Sequence, residues 1–126
     1  MFEWFRRRKQ PYERRQILND GIGFAMEFGR NWLKPIQSRL EKLYPHLTNE
    51  ELDTFNQSCQ EAMFFGHSLV YNFAEGENKL MDFEVFTNRI LEKHPWFSES
   101  KLKRLYSQSC YYTYKDFGPL EKIKRD

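Results

Sequence analysis

The sequence predicts an all-α protein, a helical bundle of four to five helices arranged as two helix-turn-helix hairpins. Hydrophobic residues recur at helical spacing through most of the 126 residues. Valine and isoleucine together number seven, against 22 aromatic residues. This scarcity of β-branched residues argues against a sheet, whose pleated surface favours them. The length suits one domain with a real core and is too short for two ordinary domains.

A second observation behind this fold class is a pattern that occurs twice, about 50 residues apart. Residues 38–48 read SRLEKLYPHLT and residues 88–98 read NRILEKHPWFS. In each copy an amphipathic helix stops at a proline, Pro45 or Pro95, and a hydroxyl residue then starts another helix. The pattern predicts two equivalent hairpins. The alternative is coincidence, because any two helical hairpins share some periodicity.

The first helix is expected to begin at Pro11, a good first-turn residue, and to run to about Trp32. Gly21 and the small residues one and two turns later share a face, which would let another backbone approach closely. The alternative is a turn at 19–21, because the sequence Asn-Asp-Gly is typical of turns.

Pro35 predicts a kink or break, after which the helix continues to Leu43. Thr48 and Glu51 form a capping box that starts the third helix. The apolar residues of this helix fall at alternating steps of three and four, which predicts one buried stripe: Leu52, Phe55, Cys59, Ala62, Gly66, Leu69 and Phe73. Gly76 is expected just past its end.

A fourth amphipathic segment is expected to end at His94, before a proline. Ser98 is the predicted N-cap of the last helix, which would stop at Gly118. The predicted organisation therefore has three parts. They are a basic aromatic N-terminal tail (1–10), a single helical domain (11–118) and a charged, frayed C-terminal tail (119–126).

Charge is segregated along the chain. Residues 1–15 carry a net charge of +4, residues 16–100 carry −6, and residues 101–126 carry +4. Such polarity bears on association and solubility rather than on fold. Two cysteines do not suggest a disulfide scaffold, and no signal peptide is visible. The expected location is the cytoplasm, or the inner face of the membrane for a peripheral protein.

We expect no metal site and no cofactor. The ligand-type side chains are His46, His67, His94, Cys59 and Cys110, and no pair of them has the spacing of known zinc sites. The sequence also lacks a nucleophile-elbow motif and a glycine-rich phosphate loop. We therefore predict a protein that is not an enzyme. The alternative is an active site assembled across helices.

Two surfaces are candidates for function. The N-terminal segment places aromatic residues, which favour the bilayer interface, beside cations that attract anionic lipid; its members are Phe2, Trp4, Phe5, Arg6, Arg7, Arg8 and Lys9. The last helix interleaves tyrosines with cations, and the partner surface expected there comprises Lys103, Arg104, Tyr111, Tyr114 and Lys115. Exposed aromatics beside arginine are typical of binding hot spots.

These features predict a small non-enzymatic protein that acts by binding another macromolecule. The expected partner is another protein or a second copy of the chain, in an adaptor, inhibitor or immunity-type role. The runner-up is a peripheral membrane protein held weakly to an anionic bilayer by its N-terminal segment. Nucleic acid is disfavoured, because the acidic middle of the chain would repel phosphates.

Overall fold

The computed structural model describes residues 2–28, 31 and 33–122, with side chains from residue 13 onward. Within these residues the fold is all-α, with no strand, which confirms the predicted class. The helices are α1 (Phe2–Ala25), α2 (Gln37–Leu43), α3 (Asn49–Glu77), α4 (Phe83–Lys93) and α5 (Glu99–Phe117). They fall into two compact units, Met1–Gln60 and Glu61–Asp126, and α3 contributes its first part to one unit and its second part to the other.

In the first unit, α1, α2 and the start of α3 pack around Gly21. A Cβ atom added to this glycine would lie 2.7 Å from Cys59 Sγ and 3.2 Å from Ile36 Cδ1. Ile36 and Leu40 are fully buried here. Gly21 is therefore closely packed, but by side chains rather than by the predicted backbone, and Gly29 of the same predicted face lies outside the described residues. The alternative of a turn at 19–21 is wrong because α1 runs straight through it.

The bounds predicted for the first helix are wrong at both ends. Its backbone is helical from Phe2 rather than from Pro11, and it stops at Ala25 rather than near Trp32. At this end the carbonyl of Phe24 accepts a hydrogen bond of 2.8 Å from the Arg39 guanidinium and one of 3.2 Å from the Glu27 amide. The same guanidinium also binds the carbonyls of Lys34 and Pro35, so one α2 side chain holds the connection in place.

The two proline turns have nearly the same local backbone. Tyr44, before Pro45, has φ −130° and ψ 69°, and His94, before Pro95, has φ −132° and ψ 73°. Each residue closes its helix with a backbone hydrogen bond to the carbonyl four residues earlier. This agreement concerns the turns alone, and the duplication of whole hairpins stays a prediction.

The predicted caps of α3 and α5 are confirmed. Thr48 and Glu51 exchange reciprocal hydrogen bonds of 2.9 and 3.1 Å between side chain and backbone. The Ser98 hydroxyl accepts from the Lys101 amide, and α5 ends at Gly118, whose φ is 72°. The end predicted for α3 is wrong by two residues: the left-handed position is Asn78 (φ 53°), a residue type that tolerates this conformation.

The stripe predicted for α3 is buried only in its first part. Phe55 and Ala62 are buried, but Leu69 and Phe73 are only half-buried. Gly66 is buried as predicted, and beyond it the buried residues are Val70 and Ala74 rather than Leu69 and Phe73. A repeat of 3.5 residues drifts by about 20° per heptad on a straight helix of 3.6 residues per turn. Over three heptads the drift reaches roughly 60°, so the buried face passes to neighbouring positions.

The second unit packs α4 and α5 against this part of α3. Phe86, Ile90 and Leu105 are fully buried, and the Phe86 ring stacks on Tyr106 with centroids 5.2 Å apart. Asp82 caps α4 by accepting from two backbone amides. These contacts give α5 a fixed position, which matters because most of the predicted partner surface lies on it.

Candidate functional site on helix α5

The five residues predicted as a partner surface lie on two adjacent rows of α5. Helical spacing aligns Lys103 and Tyr114 with Ser107 and Cys110, at steps of four, three and four. We call this set the groove row. The same spacing aligns a second set, which we call the α3-side row: Arg104, Gln108, Tyr111 and Lys115. The structure therefore divides the predicted surface into two parts that face different neighbours.

The groove row borders an open groove of about 340 Å³, which we call the α5 groove. Its lining combines α5 residues with residues before and after the helix: Leu80, Ser107, Cys110, Tyr111, Thr113, Tyr114, Gly118, Pro119 and Leu120. Tyr111 and Tyr114 stay 49% and 56% exposed at its edge. The groove thus presents two large rings to solvent above an apolar wall.

The far wall of the α5 groove is formed by residues expected to belong to a frayed tail. The Leu80 amide donates a 2.9 Å hydrogen bond to the Glu121 carbonyl, and Leu80 forms an isolated parallel bridge with Lys122. Lys79 and Glu121 add an exposed ion pair at 3.5 Å. Residues 121 and 122 are therefore paired with the chain beyond α3, next to Pro119 and Leu120 in the groove lining.

The floor of the α5 groove is neutral at physiological pH. Burial raises the pKa of the Cys110 thiol, so the thiol stays protonated. Burial also raises the pKa of the neighbouring Tyr106 phenol, whose hydroxyl donates to the Met81 carbonyl. A ligand of this groove would meet rings, methylene groups and weak donors rather than a formal charge.

On the other side of Tyr111, rings from α3 and α5 form a continuous surface, which we call the α3–α5 face. Phe64 lies 6.2 Å from His67, His67 lies 5.1 Å from Tyr112, and Tyr112 lies 5.5 Å from Tyr111, measured between ring centroids. Phe64 is 50% exposed. Phe64 is not among the predicted surface residues, although its place outside the predicted apolar stripe of α3 was an available signal of exposure.

Polar contacts fix the rings of the α3–α5 face. His67 Nε2 lies 2.8 Å from Gln108 Oε1, and the Tyr71 hydroxyl donates to Asp116 at 2.8 Å. Burial lowers the pKa of His67, although its hydrogen bond to Gln108 opposes this effect. The imidazole is therefore neutral at physiological pH and adds no charge to the middle of the face.

The ligand-type side chains named in the sequence do not come together as a metal site among the residues that the structure describes. His46 pairs with Glu13 at 2.6 Å, and Cys59 is a fully buried side chain whose thiol pKa burial raises to about 12. Over the described positions, no three His, Cys, Asp or Glu residues group as metal ligands. The N-terminal set lies on the α1 backbone, but its side chains fall outside the described residues.

Comparisons with models of known protein families, with curated proteins and with solved structures return no match for this chain.

A helix that spans a bilayer needs about 20 predominantly apolar residues. None of the helices in the described part of the chain has that combination of length and apolarity. The α5 groove and the α3–α5 face are the two surfaces whose geometry bears on function.

Proposed function

We propose that this protein is a small non-enzymatic helical protein that acts by binding another protein, in an adaptor, inhibitor or immunity-type role. The observation that carries the proposal is the α5 groove, where Tyr111 and Tyr114 stand half-exposed over an apolar wall. Tyrosine is enriched among residues that dominate binding energy, because its ring buries a large area with few rotamers to fix. When a partner covers such water-exposed rings, the removal of their apolar surface from water contributes favourable binding free energy.

The volume of the groove indicates the size of the partner group that would enter it. A volume of about 340 Å³ is at the low end for ligand pockets, which run from about 300 to 1,000 Å³. It suits one or two apolar side chains of a protein segment better than a whole drug-sized molecule. The neutral thiol of Cys110 and the Leu120 side chain favour an aliphatic or aromatic anchor over a charged one.

Charge around the groove supports a protein partner over nucleic acid. Lys103 is the cation of the groove row, and it forms an i, i+4 ion pair of 3.2 Å with Glu99. Lys122 lies over the Tyr106 ring, 6.0 Å from its centroid. Nucleic-acid sites instead combine several cations that neutralise phosphates along a track. We infer that cations at this rim orient an acidic region of a protein partner.

The test compares Tyr114→Ala with Phe28→Ala, which removes an exposed ring from the other unit. Each purified protein is used to capture partners from a lysate of the native host, after circular dichroism shows unchanged helix content. We expect wild type and Phe28→Ala to retain the same protein, and Tyr114→Ala to lose at least about tenfold in affinity. Equal retention by all three proteins would contradict a role for the α5 groove.

A second proposal is peripheral attachment to the inner face of an anionic membrane, with the protein in the cytoplasm. It rests on the aromatic and basic residues that lie together in positions 2–9, because cations near an anionic surface are attracted to it. The test is sedimentation with vesicles of phosphatidylserine and phosphatidylcholine, using a variant with Arg6, Arg7 and Arg8 changed to Gln. Salt-sensitive binding that this variant loses would support the proposal, and absence of wild-type binding at low salt would end it.

A further inference from the structure

We propose that the α3–α5 face is the interface of a twofold-symmetric homodimer. The proposal goes beyond the binding role of the α5 groove, because the two surfaces lie on different rows of the same helix and meet only at Tyr111. It commits to one occupant, a second copy of this chain. Three features of the second unit support it: exposed rings at the centre, opposite charges at the two sides, and the register of α3 against α5.

The centre of the face is aromatic. Phe64 and Tyr111 are each about half exposed, and the rings of His67 and Tyr112 connect them. His67 is neutral at physiological pH because burial disfavours its charged form, so two copies can bring their centres together without repulsion between imidazolium groups. Rings in a row of this kind lose unfavourable contact with water when a second apolar surface covers them.

Charges of opposite sign lie on the two helices that form the face. Exposed Glu61 and Glu75 project from α3, whereas exposed Arg104 and Lys115 belong to the α3-side row of α5. Lys115 Nζ lies 5.6 Å from the centroid of the Tyr111 ring, which places this cation at the edge of the aromatic centre. A twofold axis that lies in the plane of the interface and runs parallel to the two helices lays α3 of one copy over α5 of the other. Acidic and basic sides then meet, as a self-complementary interface requires.

The register of the two helices determines which charges meet. Gly66 lies against Leu105, His67 against Gln108 and Tyr71 against Asp116, so α3 and α5 run in the same direction. An axis parallel to the helices preserves that direction in the second copy, so equal levels along the two helices face each other. Glu61 lies six residues before His67, or about 9 Å at 1.5 Å per residue. The second copy's Arg104 lies four residues before Gln108, or about 6 Å, and so reaches a similar level.

The same axis also pairs the charges at the other end of the face. Glu75 lies eight residues after His67, about 12 Å along α3, and the second copy's Lys115 lies seven residues after Gln108, about 10 Å along α5. The twofold arrangement therefore brings carboxylates onto cations at both ends. Asp116 is the acid of α5 at this face, and it accepts the hydrogen bond from Tyr71.

The test uses two charge-reversed proteins. The acidic variant carries Arg104→Glu and Lys115→Glu, and the basic variant carries Glu61→Lys and Glu75→Lys. Light scattering after size exclusion measures the mass of each at about 100 µM, where a dimer with micromolar affinity is populated. We expect a wild-type dimer, a monomer for each variant alone, and a heterodimer when the variants are mixed in equal amounts, because every reversed charge then meets its opposite.

A matched control reverses charge elsewhere: Lys34→Glu and Asp53→Lys alter exposed residues of the first unit and should leave the dimer intact. Circular dichroism confirms that every variant is folded, and recovery of the heterodimer itself demonstrates folded partners. A monomeric wild type would overturn the proposal, as would a dimer that both charge reversals leave unchanged. A negative result for the dimer would not contradict the binding role proposed for the α5 groove, because Tyr114 and Leu120 lie outside the α3–α5 face.

Discussion

Gly66 of α3 and Leu105 of α5 approach each other so closely that a Cβ atom on the glycine would lie 2.6 Å from Leu105 Cδ2 and 2.8 Å from its Cγ. Leu105 is fully buried, so it cannot turn away into solvent. This contact sets the separation of the two helices that carry the α3–α5 face. The absence of a side chain at Gly66 is what permits it.

Gly66→Ala should destabilise the protein by about 1–2 kcal/mol. Overpacking costs about 1–3 kcal/mol, and the better helix propensity of alanine offsets up to about 1 kcal/mol of that. Gly76→Ala is the matched control: it lies in the same helix with no atom within 4 Å of its added Cβ, and should stabilise by up to about 1 kcal/mol. Urea unfolding measures both, and equal effects of the two changes would contradict the tight contact at Gly66.

Phe86→Ala should lower the free energy of unfolding by about 3–5 kcal/mol, because the ring is fully buried and leaves a cavity. Phe73→Ala serves as the comparison. The periodicity of α3 predicts a loss of about 3–5 kcal/mol for this change too, but Phe73 is only half-buried. Its removal should therefore cost about 1–2 kcal/mol. A larger loss at Phe73 than at Phe86 would show that the face of α3 is wrongly assigned.

Leu33→Gly should stabilise the protein by about 0.5–1 kcal/mol. Leu33 has φ 61°, a conformation that costs about 1–2 kcal/mol for a residue with a Cβ and little for glycine. Leu43→Gly is the control, since Leu43 is equally exposed (55% against 54%) but ends α2 in helical conformation. Leu43→Gly should therefore lower the free energy of unfolding by up to about 1 kcal/mol. Thermal unfolding should show the two changes with opposite signs.

Stability should fall on acidification, and His67 should contribute to that fall. Burial lowers the folded-state pKa of His67 below its ordinary value of 6.5. The unfolded chain therefore binds the proton first, so stability present above pH 6.5 declines as pH falls toward the folded pKa. His94 acts in the same direction, also chiefly through burial, with Lys93 adding to the effect and Glu61 opposing it.

His67→Gln removes the first of these contributions while His94 still titrates in both proteins. The difference in unfolding free energy between about pH 7.5 and about pH 5 should therefore be smaller in the variant than in wild type. Urea unfolding at the two pH values measures this difference. An equal or larger difference in the variant would mean that His67 is protonated as easily in the folded protein as in the unfolded chain.

The sequence by itself determined the all-α class, the two proline turns and the caps at Thr48 and Ser98, because these features follow from interactions between residues close together in the chain. Each depends on residues a few positions apart: a proline lacks a donor, and a hydroxyl satisfies an amide three residues on. Glycine at 118 ended α5 for the same kind of reason. The interleaved tyrosines and cations of α5 were visible in the sequence as well, because helical spacing alone places them outside the buried face.

Only the tertiary structure decided the features that join distant residues. Arg39 caps the end of α1 by donating to the carbonyl of Phe24, fifteen positions earlier, and no local pattern predicts that bond. Leu80 pairs with residues 121–122 to build the α5 groove out of a segment whose charge predicted a free tail. The buried side of α3 likewise depended on its neighbours. A repeat of 3.5 residues drifts around a long helix, and beyond Gly66 the packing buries Val70 and Ala74 rather than Leu69 and Phe73.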